Sequence, residues 1–141
     1  MLVHAHSGLR WLVLGLLLYA IFNAIGKNKS SYEKRDKMVN LFAMISLHIQ
    51  LLLGLILYFI SPKVSFASGW MKDAAFRFYG MEHLIGMLAA IVVVTVGRKL
   101  AEKQESAILK NKKIALWYVI GLVLIIASIP WPFRGLGGQW F

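Results

Sequence analysis

Apolar residues in this chain do not alternate with polar ones at a helical or strand period. They come in four long runs, about 2–26, 38–60, 76–97 and 114–129, with the polar residues gathered between them. Each run holds roughly twenty residues, which at ~1.5 Å rise matches ~30 Å of hydrocarbon, so the pattern predicts four membrane-spanning helices. Ser61-Pro62 closes the second run and Pro130-Trp131-Pro132 stops the fourth, where proline's missing N–H suits a helix end. The segment 63–75, with Gly69 and Trp70, and the glycine-rich aromatic tail 133–141 read as stretches at the headgroups. Short connections predict one all-α integral membrane domain over 1–141, an antiparallel up-down-up-down four-helix bundle with spans one and three on a diagonal.

Charge turns this pattern into a topology. The chain carries a formal charge of +10, but eleven of its sixteen Lys and Arg lie in 27–37 and 98–113, between apolar runs. That placement is the positive-inside signature and not a nucleic-acid footprint. It puts both basic loops on the cytoplasmic side of a bacterial inner membrane and both termini on the periplasmic side. The second basic loop is expected to be partly helical. The start, MLVHAHSGLRW, lacks the basic first segment and small-residue cleavage site of a signal peptide, so the first run is expected to be retained as a span. With 59% hydrophobic residues the chain is too apolar for an ordinary soluble domain.

Candidate chemistry then rests on histidine. The absence of cysteine excludes disulfides, thiolate metal sites, iron–sulfur clusters and thioether-linked haem. His6, His48 and His83 nevertheless fall inside apolar runs, where an ionisable group is expensive and marks a candidate functional site. By helical rise His6 lies ~6 Å and His83 ~10 Å below the same face of the membrane, whereas His48 lies ~18 Å deep. Ligands at one level on diagonal helices are what a haem inside a four-helix bundle needs, so His6 and His83 are the leading axial pair and His48 the alternative ligand.

Arg10, one turn after His6, needs a counter-charge, either a haem propionate or Glu82. Arg77 and Arg134 are further propionate candidates, and Gly86, on the face of His83, is expected to let a flat macrocycle approach. The competing reading makes each histidine an interhelical hydrogen bond worth ~0.6–2 kcal/mol. His4 is read as an interfacial residue, though the HAH sequence leaves it exchangeable with His6. Ser46, Gln50, Gly54 and Tyr58 form a stripe on the second span that reads as helix-packing contact. Met81 and Met87 read as packing residues that are able to ligate haem or copper. Trp117 and Tyr118 are expected at the inner boundary, Trp131 and Trp140 at the outer one.

The segments HSGLRWLVL (6–14), LHIQLLLGLILYF (47–59), MEHLIGM (81–87) and IASIPWPFR (126–134) together resemble a family of small four-span membrane proteins, common in Bacteroidota and described as cytochrome b-like. The chain is more distantly similar to one four-helix half of haem A synthase, in which haem-binding histidines sit near the outer starts of two inward-running helices. His6 and His83 occupy comparable places. The synthase's outer-loop carboxylate motif is missing, since the corresponding loop offers only Asp73.

These readings predict a bis-histidine haem b protein, an electron carrier or haem-bearing accessory subunit of a respiratory or other membrane complex in preference to a stand-alone enzyme. Its partners would be the lipid bilayer, other membrane subunits, and a quinone or redox protein, with no nucleic acid. The alternatives are a cofactor-free structural or assembly subunit, and a copper or haem delivery protein using His4, His6, Met81 and His83.

Overall fold

The computed structural model describes residues 1–26 and 29–141; Lys27 and Asn28, in the first basic loop, lie outside the described residues. Among the described residues there is no strand, and four helices are long and apolar enough to cross a membrane. They are α1 (Leu2–Ile25), α2 (Lys34–Ile60), α3 (Ala74–Glu102) and α4 (Ala107–Ser128).

Hydrogen bonds at both ends fix the direction of each helix. Gln50 of α2 meets His6 of α1 at one end and Asp36 meets Asn23 at the other, so α2 returns antiparallel to α1. Tyr58 reaches Gly80 and His48 reaches Thr95, which brings α3 back along α2. His83 meets Ser128 while Gly97 lies against Trp117, so α4 is antiparallel to α3. Helix α4 also packs on α1, which closes a ring of four with α1 and α3 on one diagonal.

The helices outrun their apolar cores. α2 starts at Lys34, α3 continues to Glu102 and α4 starts at Ala107, so the connections are shorter than the polar segments 27–37 and 98–113. Hydrocarbon selects only the apolar residues, whereas Lys, Arg and Glu are good helix formers and carry the helix beyond them. A reciprocal cap starts α2, with the Glu33 N–H donating to Asp36 Oδ2 at 2.8 Å. Asp73 caps α3 by accepting from the Phe76 N–H at 3.0 Å.

The interior is built from small and branched residues. Leu17, Ala20, Ala43, Ala90, Val94, Ala101 and Ile114 have no exposed surface. Gly86-x-x-x-Ala90 and Gly97-x-x-x-Ala101 line the face of α3 that meets α4, and small residues at this spacing let two backbones approach. A Cβ at Gly86 would collide with the Ser128 side chain, and one at Gly97 with Trp117. Tyr118 is fully buried between the helices, and its hydroxyl donates to the Asn40 carbonyl at 2.7 Å. Large apolar side chains such as Leu12, Phe22, Leu52, Phe59, Val92 and Val123 point outward.

Polar contacts are concentrated at the two ends. At the basic end Tyr32 donates to Glu102 at 2.6 Å and accepts from Asn40 at 3.1 Å. Burial, then the Glu102 carboxylate, push the Tyr32 hydroxyl above its ordinary range, so it stays protonated as that bond requires. Both termini lie at the opposite end, where the His4 ring meets the Phe141 carbonyl at 3.2 Å.

Candidate ligand cavity between His6 and His83

The second turn of α3, Phe78–Glu82, is π-helical and ends directly before His83. π-Turns occur mostly as single insertions at functional sites. Here the i to i+5 spacing sets Arg77 one turn from Glu82, and the two pair at 2.8 Å. Tyr58 of α2 donates to the Gly80 carbonyl within this turn at 2.7 Å, and the Trp70 ring lies against Gly80.

His83 is oriented by the end of α4. The last carbonyls of a helix have no intrahelical donor and need other partners. Three of them at this end, 126–128, have one, as does the C-cap carbonyl of Ile129. Ile126 accepts from Trp131 Nε1 at 2.9 Å, Ala127 and Ile129 accept from Arg134 at 3.1 and 3.0 Å, and Ser128 accepts from His83 Nδ1 at 2.7 Å. A carbonyl only accepts, so Nδ1 carries the proton, and in the neutral ring the lone pair belongs to Nε2. Gly86 brings Ser128 this close, because any side chain at 86 would push α4 away.

Across the diagonal stands His6. Its ring centroid is 6.3 Å from that of His83, with the ring planes at 79°. Gln50 donates to the His6 carbonyl at 2.7 Å, and the imidazole rests on Gly54, where a Cβ would come within 3.1 Å of Cε1. His6 Nδ1 is buried without a hydrogen-bond partner.

The two imidazoles line a cavity of about 150 Å³. Its walls are mainly apolar: Val13 of α1, Leu47 and Leu51 of α2, Met87 and Ile91 of α3, and Ile125 of α4. Among the described residues, four buried polar atoms on this cavity have no protein partner: His6 Nδ1, Arg10 Nε, Gln50 Oε1 and the Tyr79 hydroxyl. Buried polar groups are nearly always satisfied, so orphans gathered on one cavity point to a ligand.

Arg10 is only 8% exposed and lines the terminus-bearing end of this cavity. It donates to the carbonyls of Gln139 and Trp140, both at 2.8 Å, and lies over the rings of Trp11 and Trp131. Glu82, one of its two expected counter-charges, is taken by Arg77 instead. Arg77, which also donates to the Met71 carbonyl at 3.1 Å, does not line the cavity, and Arg134 caps α4. Gly86 faces Ser128 and not the cavity, so its role here is to seat the partner of His83.

His48 stands apart from the pair, with Nε2 3.1 Å from Thr95 Oγ1, an interhelical hydrogen bond between α2 and α3. Of the five residues weighed for copper, His6, His83 and Met87 line the cavity and His4 and Met81 do not. Lys63 and Tyr79 also line it and were not singled out from the sequence. Tyr79 reads in the sequence as a span-end aromatic; the π-turn of α3 sets its place, and Lys63 meets the folded-back tail at Gly137. Comparison with family models, curated proteins and solved structures found no match for this chain.

Proposed function

We propose that the protein is a small multi-pass membrane protein that binds haem b without covalent attachment, with His6 and His83 as axial ligands. It would act as an electron carrier or as a haem-bearing accessory subunit of a respiratory or other membrane complex. The observation that carries this reading is the His6–His83 pair: two imidazoles 6.3 Å apart across a diagonal, one with its Nδ1–H fixed on the Ser128 carbonyl. A metal-ligating histidine characteristically donates its other N–H to a carbonyl or carboxylate in this way. The apolar walls and the polar atoms left unpartnered among them have the chemistry that a flat, largely apolar group would meet, and with the tail folded over it the cavity of about 150 Å³ would have to widen to take one.

A haem held by His6 and His83 would supply one-electron transfer in preference to oxygen chemistry. The chain's own contribution is to hold the two rings at one level, fix the tautomer of His83 and surround them with apolar side chains. The positive-inside pattern supports an inner-membrane location with both termini periplasmic, which sets the His6–His83 level near the outer surface. A quinol or an outer redox partner is then the nearest source of electrons. The test is a dithionite-reduced minus oxidised spectrum of the detergent-purified protein with a pyridine haemochrome assay. A b-type α-band with near-stoichiometric haem, lost in His6→Ala and His83→Ala, is expected.

One set of contacts favours a second reading, a cofactor-free structural subunit. Ring pairs in direct edge-to-face contact also lie ~4.5–7 Å apart, and Gln50–His6 and His48–Thr95 are interhelical hydrogen bonds of the ordinary kind. Protein purified under haem-replete conditions with no Soret band, in a stably folded state, selects this reading.

A further inference from the structure

The end of the cavity nearest the termini carries, beside Arg10, a second cation that the sequence reading did not use. Arg10 and Lys63 both line it, one from α1 and one from the turn after α2. Among the described residues neither pairs with a carboxylate. Lys63 donates to the Gly137 carbonyl at 2.6 Å and lies over the Tyr79 ring at 5.2 Å. Arg10 takes the carbonyls of Gln139 and Trp140, with its Nε left over. Arg10, buried, and Lys63, half-buried, are thus met by backbone carbonyls and aromatic rings and by no carboxylate, a weaker match than an anion.

The tail reaches them because it turns back on itself. Gly135 and Gly137 adopt positive φ of 68° and 74°, and Gly138 packs so tightly on the Pro130 carbonyl that a Cβ would not fit. Gly138 and Gln139 thereby form part of the cavity wall. With this wall in place the cavity is about 150 Å³, below the ~300–1,000 Å³ usual for cofactor-sized ligands. Tail carbonyls and an acidic ligand would compete for the same donors.

Resting on the haem reading, we infer that Arg10 and Lys63 form a two-point anion clamp for a ligand carrying two carboxylates on one edge, and that the carbonyls of Gly137, Gln139 and Trp140 hold the place those carboxylates take. The Tyr79 hydroxyl, buried, unpartnered and beside Lys63, is the available neutral donor for the same edge. The site is therefore selective for the free-acid edge of a porphyrin, with Lys63, not Arg77, as the second cation.

The test is a Soret titration of the full-length, detergent-purified protein with ferric protoporphyrin IX and, separately, with its dimethyl ester. Both share the iron and macrocycle, and only the first carries the charges. Wild-type protein is expected to bind the free acid at least ~10-fold more tightly, the scale of one charge-assisted hydrogen bond. In Arg10→Gln/Lys63→Gln the two affinities should converge, and Arg10→Lys/Lys63→Arg should restore the preference. Equal binding of acid and ester by wild-type protein, both lost in His83→Ala, overturns the clamp and leaves the haem reading standing. No Soret shift with either porphyrin overturns both. Because the decisive comparison uses wild-type protein, it does not depend on how well the variants fold.

Discussion

His83 Nδ1 lies 2.7 Å from the carbonyl oxygen of Ser128, the last residue of α4. One bond does two things: it satisfies a carbonyl that the end of α4 leaves open, and it turns the other nitrogen of His83 into the acceptor. Gly86 decides whether the two can meet, since its missing side chain is where Ser128 sits. Gly86→Val should therefore push α4 off α3 and cost ~1–3 kcal/mol by overpacking. Thermal melts of the detergent-solubilised protein measure the loss, and low-temperature EPR of haem-loaded protein should show altered axial ligation. A variant with unchanged melting and unchanged EPR would show that the close contact at Gly86 does not govern His83.

His48 and the His6–His83 pair should behave differently on substitution. His48→Ala removes one interhelical bond to Thr95, worth ~0.6–2 kcal/mol, and leaves the cavity intact. Haem content and the position of the Soret band should stay as in wild type, with a lowered melting temperature. Loss of haem in His48→Ala, with haem retained in His6→Ala, would move the ligand assignment to His48.

Arg77 should be dispensable for the cofactor. Its ion pair with Glu82 is more than one-third exposed on both sides, and such pairs contribute ~0–1 kcal/mol. Arg77→Gln is expected to change haem affinity by less than ~2-fold. Affinity measured by Soret titration in parallel with Arg10→Gln gives the contrast, because Arg10 lines the cavity and Arg77 does not. A larger loss in Arg77→Gln than in Arg10→Gln would reverse the roles assigned to the two arginines.

The helices were readable from the sequence because burial in lipid demands long, uninterrupted apolar runs, and little else produces them. Their ends were less readable: Lys34, Arg35 and Lys99 are polar yet helical, since helix propensity does not stop where hydrocarbon does. The level of His6 with His83 followed from rise per residue alone. Helix rotation did not, and it is rotation that turns Gly86 onto Ser128, buries Tyr118 and gives Glu82 to Arg77. The π-turn before His83 leaves no periodic trace in a run that is apolar on nearly every side. The tail was legible as glycine-rich and aromatic, but its carbonyls reach Arg10, Trp11 and Lys63 by turns at Gly135 and Gly137 that composition alone does not place.

Gly54 gives the sharpest test of how His6 is held. The His6 ring lies on Gly54 with room for hydrogen only; an added Cβ would stand 3.1 Å from Cε1, tight enough that the ring must give way by a few tenths of an ångström. Gly54→Ala should therefore be tolerated in folding but tilt the imidazole, whereas Gly54→Val, branched at Cβ, should drive the ring out of line with His83. Gln50 holds the His6 backbone and not its ring, so the helix stays in place while the side chain moves. The expected series is graded: haem affinity falls from glycine to alanine to valine while helical content by circular dichroism stays constant. A graded loss of this kind belongs to a ligand whose ring must stand upright. If Gly54→Val binds haem as wild type does, the imidazole of His6 is not an axial ligand, whatever its distance from His83.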